Sequence, residues 1–172
     1  MPEIIPNWHP IGVHFTIALL SLAAALYLTA PWLKSAALRE QALIVARWNL
    51  LFGAGFAIVT AILGWLAFNS VTHDTPSHAA MVEHRNWALT ALALFLLVAG
   101  WVLWRPPYPR PRVVFAALVL VAWAVLAVTG WHGGEVVFRY GIGVKSLPKP
   151  EQEGAGHTHV MPDEHSAQDH AH

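Results

Sequence analysis

Residues 10–33 read PIGVHFTIALLSLAAALYLTAPWL, with no Lys, Arg, Asp or Glu before Lys34. A helix rises 1.5 Å per residue, so about 20 apolar residues cross the hydrocarbon core of a bilayer. This stretch is long enough, and three others match it: near Trp48 to Phe68, Trp87 to Trp104 and Val113 to Gly130. Pro10 suits a first helical position. The second helix is expected to reach back toward Ser35. Thr75 and Pro76 read as a cap and first turn, so the third should begin well outside the lipid. Four prolines between Arg105 and Arg112 stop it. The pattern predicts an all-α integral membrane four-helix bundle over residues 1–145. A flexible, disordered, His-rich tail is expected over 146–172.

Composition agrees. Of 172 residues, 56% are hydrophobic and 12% charged, too apolar for an ordinary soluble domain. The formal net charge of +0 suggests no nucleic-acid partner. The chain has no cysteine, which excludes disulfides, thiolate metal sites, iron–sulfur clusters and covalently attached c-type haem. No positive residue precedes the first span and no small-residue cleavage site follows it. It is therefore expected to be retained rather than removed as a signal peptide.

Charge sets the orientation. Lys34, Arg39 and Arg47 lie between spans one and two, and Arg105, Arg110 and Arg112 between spans three and four. These two loops share one side. The positive-inside rule makes it the cytoplasmic side, so both termini are expected outside, in a bacterial inner (plasma) membrane. Trp32, Trp48, Trp101 and Trp104 mark the inner boundary, and Trp8, Trp87 and Trp131 the outer one.

This topology gathers the histidines. His9, His14, His73, His78, His84 and His132 all fall at the outer end of the bundle. The tail adds His157, His159, His165, His170 and His172, while the inner loops carry none. His14 is expected to be the deepest, about 6 Å past Pro10 along the helix. Ionisable groups within a span usually face the bundle interior and mark function; the plain alternative is a neutral imidazole bonded to a neighbouring helix. His9 precedes a proline and is expected to be extended, at the rim. His84 shares a helical face with Trp87, Ala88 and Ala91. His9 and His14 are about 140° apart around a helix, and Pro76 divides His73 from His78. Any site must therefore be assembled across helices.

The segments NWHPIGVHFTIALL, EHRNWALT and VTGWHGGEVVFRYGIGV together resemble a bacterial family of small four-span membrane proteins, domain-of-unknown-function family 2231. The resemblance covers roughly residues 7 to 145. It implies four membrane helices and a redox association, since relatives look like b-type haem carriers. His9, His14, His84 and the WHGGE segment are the positions it marks. Thr16 stands where the pattern expects proline, and Tyr140 where relatives often have histidine, so a ligand at that second position is lost.

Three functions compete. The first is a membrane b-type cytochrome, which needs one or two axial imidazoles within apolar walls. His14 and His84 are the expected haem b ligands, with His132 or His73 as substitutes, and Arg85 or Arg139 meeting a propionate. Such a protein would pass electrons from membrane quinol to a periplasmic redox partner. The second is a carrier or sensor of Zn, Cu or Ni, using His9, His73, Asp74, His78, His132, Glu135 and the tail histidines. The plain reading of that tail is a disordered polar segment. The third is a cofactor-free structural or assembly subunit whose histidines respond to external pH. Transport fits poorly because no charged residue lies within a span, and catalysis poorly because no nucleophile elbow is present.

Two smaller features complete the reading. Phe138 to Lys145 alternates apolar and polar residues, which suggests an extended stretch or a helix broken by glycine. Gly53, Gly55 and Gly64 permit close helix approach, within the chain or in a homodimer.

Overall fold

The computed structural model describes residues 7–105 and 113–144. Four helices account for most of them: α1 (His9–Thr29), α2 (Ala36–Ser70), α3 (Thr75–Trp104) and α4 (Val113–Phe138). A short 3-10 turn, Ala30–Trp32, follows α1. No strand occurs among the described residues. All four helices are long and apolar enough to cross a membrane.

The helix starts follow local chemistry. Ser35 is extended, and its hydroxyl accepts the Leu38 N–H at the head of α2. Asp74 and Ser77 form a capping box at α3, with proline in the first turn. Pro10 occupies the first turn of α1, where its missing N–H has no intrahelical partner to lose. Consequently α2 runs 35 residues, about 52 Å, and α3 runs 30, so both overhang a 30 Å hydrocarbon layer.

The helices form a square. Each packs against the one before and after it, and α4 closes back on α1; α1 and α3 lie on one diagonal, α2 and α4 on the other. Leu20, Leu50, Phe95, Val98 and Val119 are the largest fully buried side chains. Alanines such as Ala23, Ala46, Ala57 and Ala122 fill much of the rest. This composition suits a membrane. Lipid is as apolar as leucine, so helices associate through close packing and not through the hydrophobic effect. At Gly53 a Cβ would lie 2.7 Å from Leu20 Cδ2, so α1 and α2 meet there at glycine distance. The outer surface is correspondingly apolar, with Phe52, Ile62, Leu66, Leu97 and Leu103 all exposed. Exposed Trp32 and Trp104 lie at one end and Trp8 and Trp131 at the other, as interfacial belts require.

The extended reading is corrected over residues 138–144; Lys145 lies outside the described residues. Helix α4 continues through Phe138, and Gly141 and Gly143 then turn the chain with φ of 62° and 85°. The Gly141 and Ile142 N–H groups donate to the Val137 and Val136 carbonyls. Glycine adopts positive φ without a Cβ clash, and that decides between turn and strand here. The prolines between Arg105 and Arg112 and the tail over 146–172 lie outside the described residues.

Candidate functional site

The site sits where α1 and α3 begin and α2 and α4 end. Antiparallel packing brings these four ends together, and two histidines reach inward from opposite corners of the square. His9 is the first residue of α1, helical and half-buried. Its Nδ1 lies 3.0 Å from the Thr60 carbonyl of α2. His84 lies in the third turn of α3, with Nδ1 3.1 Å from the Thr129 carbonyl of α4. A carbonyl only accepts, so each Nδ1 carries the hydrogen and, in the neutral ring, each Nε2 keeps its lone pair. The two ring centres are 6.3 Å apart, with the planes at 74°.

Glycines make room for both rings. A Cβ at Gly64 would meet His9 Cε1 at 2.9 Å, and one at Gly133 would meet His84 Cε1 at 3.1 Å. Below the His9 ring, buried Thr16 and Thr60 share a hydroxyl hydrogen bond of 2.9 Å. Gly12 faces Thr60, where a Cβ would stand 2.7 Å from its Oγ1.

His14 does not join this pair. The expected buried ligand lies on the outside of α1, its Nδ1 donating back to the Pro10 carbonyl. Helical phase explains the correction. The buried stripe runs Gly12, Thr16, Leu20, Ala23, and His14 lies about 200° from Gly12 and from Thr16. His9 takes the inward place because α1 already includes it; the extended rim position expected for it is corrected too. Its own N–H donates to Asn7 Oδ1 at 3.0 Å, which fixes the chain at the helix entry.

The remaining candidates separate into smaller groups. His132 stacks on Trp87, with ring centres 6.1 Å apart. Its Nε2 lies 3.7 Å from Glu83 and its Nδ1 3.5 Å from Glu135. Glu135 also pairs with Arg139 at 2.8 Å. His73 and His78 do not share a helix, as expected, yet their rings stack, with His73 Nε2 2.9 Å from His78 Nδ1. His73 Nδ1 faces the Val71 carbonyl at 2.7 Å. Phe68 lies beside both, and the Arg85 guanidinium stands over that ring at 5.1 Å. Asp74 is spent on the α3 cap; the Ser77 hydroxyl and backbone N–H hold its carboxyl below the usual range. A single shell of His9, His73, Asp74, His78, His132 and Glu135 is therefore not assembled. Among the described residues, no three His, Asp or Glu side chains converge at metal-ligand spacing. His157, His159, His165, His170 and His172 lie outside the described residues.

Sequence reasoning missed Thr60 and Thr129, marked Gly133 only within the WHGGE segment, and gave Glu83 no role in the site. A signal for the first three was present: Thr followed four residues later by Gly occurs both in TAILG (60–64) and in TGWHG (129–133).

No curated protein and no solved structure matches the chain. A family model described as a predicted membrane protein, DUF2231, does match, over residues 6–146. That span holds all four helices and both members of the central histidine pair, and the chain belongs to this family of membrane proteins.

Proposed function

We propose that this protein is a membrane b-type cytochrome in which His9 and His84 bind haem at the periplasmic end of the bundle. The pair of rings carries the reading. His9 and His84 stand with ring centres 6.3 Å apart, close enough that one haem iron would be held by both imidazoles. Both Nδ1 atoms are already held by carbonyls, as second-shell partners hold metal-bound imidazoles.

Bound haem would supply one-electron transfer between membrane quinol and an external partner. The protein's own residues do the rest. The Thr60 and Thr129 carbonyls fix each tautomer and ring orientation, and Gly64 and Gly133 admit the rings. His132, Glu83 and Glu135 offer proton acceptors at the rim. Of the two arginines expected near propionates, Arg139 has Glu135 as a partner and Arg85 has Phe68. The zinc, copper or nickel reading lacks a third ligand among the described residues. The Lys and Arg content of the two loops at the other end supports both termini outside, in a bacterial inner membrane.

The test is an absorption spectrum of the protein purified after haem-replete expression, oxidised and reduced. A Soret band and a sharp reduced alpha band, lost in His9→Ala and in His84→Ala but kept in His14→Ala, are expected. No Soret band, with stoichiometric zinc, copper or nickel instead, would overturn the haem assignment.

A further inference from the structure

The two halves of the bundle repeat each other. Seventy-five residues separate His9 from His84. The same offset carries Thr16, Leu20, Ala23, Ala24 and Tyr27 of α1 onto Ala91, Phe95, Val98, Ala99 and Val102 of α3, and all ten are buried. An offset of sixty-nine residues carries Ala46, Leu50, Gly53, Ala57 and Thr60 of α2 onto Phe115, Val119, Ala122, Leu126 and Thr129 of α4, again all buried. It also carries Gly64 onto Gly133.

The identities between the halves are selective. Residues 9–29 can be set against 84–104, and 44–69 against 113–138. Apart from Ala, Leu and Val, three pairs are identical: His9 with His84, Thr60 with Thr129, and Gly64 with Gly133. Most other core positions keep burial without identity, and exchange Ala46 for Phe115 or Tyr27 for Val102. Shared packing geometry alone asks for burial, not for the same polar residue. The three identical pairs are the ones that place the two imidazoles.

We infer that α1–α2 and α3–α4 are two copies of one helical hairpin, related by a two-fold axis along the bundle, and that His9–Thr60–Gly64 and His84–Thr129–Gly133 are equivalent halves of one site gripping a single metal centre on that axis. Parallel repeats related by an axis along the membrane normal are a known membrane-protein architecture. The square supports the relation: α1 and α3 occupy one diagonal and α2 and α4 the other, as a two-fold axis down its centre requires. The two histidines come from diagonal corners and approach each other across that centre. The ligand class is a metal centre that would be held by two imidazoles; its identity as haem rests on the function proposed above, whereas the equivalence of the halves does not.

The symmetry breaks at the rim. Glu83, His132 and Glu135 correspond to Trp8, Leu63 and Leu66 in the first half. Trp87 likewise stands where the first half has Gly12. The cluster of Glu83, His132 and Glu135 thus belongs to the α3–α4 half alone, and gives an otherwise symmetric site one acidic side.

Two measurements test the inference on the full chain. The first is 15N NMR of histidine-labelled, haem-free protein, with the two rings assigned through His9→Asn and His84→Asn. Both are expected as neutral rings protonated at Nδ1. One ring protonated at Nε2 instead would overturn the equivalence, whether or not haem binds. Matched rings in a protein that takes up no haem would uphold the paired site and reject haem as its ligand. The second compares Gly64→Ala with Gly133→Ala in the haem-loaded protein. Each added methyl presses on one imidazole, so both should shift the reduced alpha band in the same direction, within about two-fold of each other. A shift in one variant with none in the other would also overturn it.

Discussion

Gly53 and Gly55 stand two residues apart on α2, and replacing each with alanine should move stability in opposite directions. At Gly53 the new Cβ would find Leu20 Cδ2 at 2.7 Å, Leu20 Cγ at 2.9 Å and Leu19 Cβ at 3.2 Å. Carbon atoms prefer about 3.5–4.0 Å, so α1 and α2 must separate by several tenths of an ångström or Leu20 must leave its rotamer. Leu20 is 1% exposed and has little freedom to yield. Overpacking of this kind costs about 1–3 kcal/mol. At Gly55 nothing lies within 4 Å of the added atom. Alanine there gains helix propensity, up to about 1 kcal/mol. The propensity gain is common to both sites and cancels between them. Gly53→Ala should therefore be less stable than Gly55→Ala by about 1–3 kcal/mol, roughly 5- to 150-fold in the unfolding equilibrium. Reversible unfolding in mixed micelles, followed by circular dichroism against the fraction of denaturing detergent, measures the difference. Equal stabilities, within about 0.5 kcal/mol, would refute the close approach of α1 and α2 at this point.

Other outcomes follow from the same geometry. Thr60→Val removes the hydroxyl that pairs with Thr16 and should cost about 0.5–1.5 kcal/mol, with a Thr16→Val/Thr60→Val double-mutant cycle reporting the coupling. It should leave His9 in place, because His9 bonds the Thr60 carbonyl and not its side chain. Asp74 gives a pH dependence. Its folded-state pKa lies below the ordinary 3.8 because the charged form accepts from Ser77, so its cap contribution is full above that value and fades as pH falls through the lowered one. Protection of the Ser77 and His78 amides, taken relative to the intrinsic exchange rate at each pH, should fall as pH drops through that lowered value, and Asp74→Ala should show the weak protection at all pH values. Topology is accessible through the chain's lack of cysteine. Single cysteines at Ala37 and Thr72 should label from opposite sides of intact cells or spheroplasts, Thr72 from outside; labelling of both from one side would contradict the four-span arrangement.

The fold was legible because lipid imposes a simple rule. A span must be about 20 residues of apolar helix, and only helices or closed barrels satisfy backbone hydrogen bonds there. Four such runs, the Ser35 start and the proline stop therefore predicted the observed helices, while the α3 cap is Asp74, one residue before the expected Thr75. The histidine end was legible for the same reason, since alternating spans bring the His9, His73, His84 and His132 segments to one side. The partners were not. Sequence named His14 because it lay deeper in the apolar run than His9. Depth, however, says nothing about which way a ring points on a helix that is apolar all round. In a soluble helix the polar face would have given the phase, but lipid and core are equally apolar, so α1 carries no such mark. Small residues gave a partial clue through Gly64. Thr60 and Thr129 were marked only by the Thr-to-Gly spacing they share, because a backbone acceptor has no sequence signature of its own.

The sequence by itself determined the number of spans, their ends, their common histidine side and the absence of thiolate chemistry, all consequences of composition and chain order. The tertiary structure decided which histidines meet. Pairing depends on rotational phase and on where α1 and α3 stand in the square. Diagonal placement turns His9 and His84 toward one axis and leaves His14 on the outer surface.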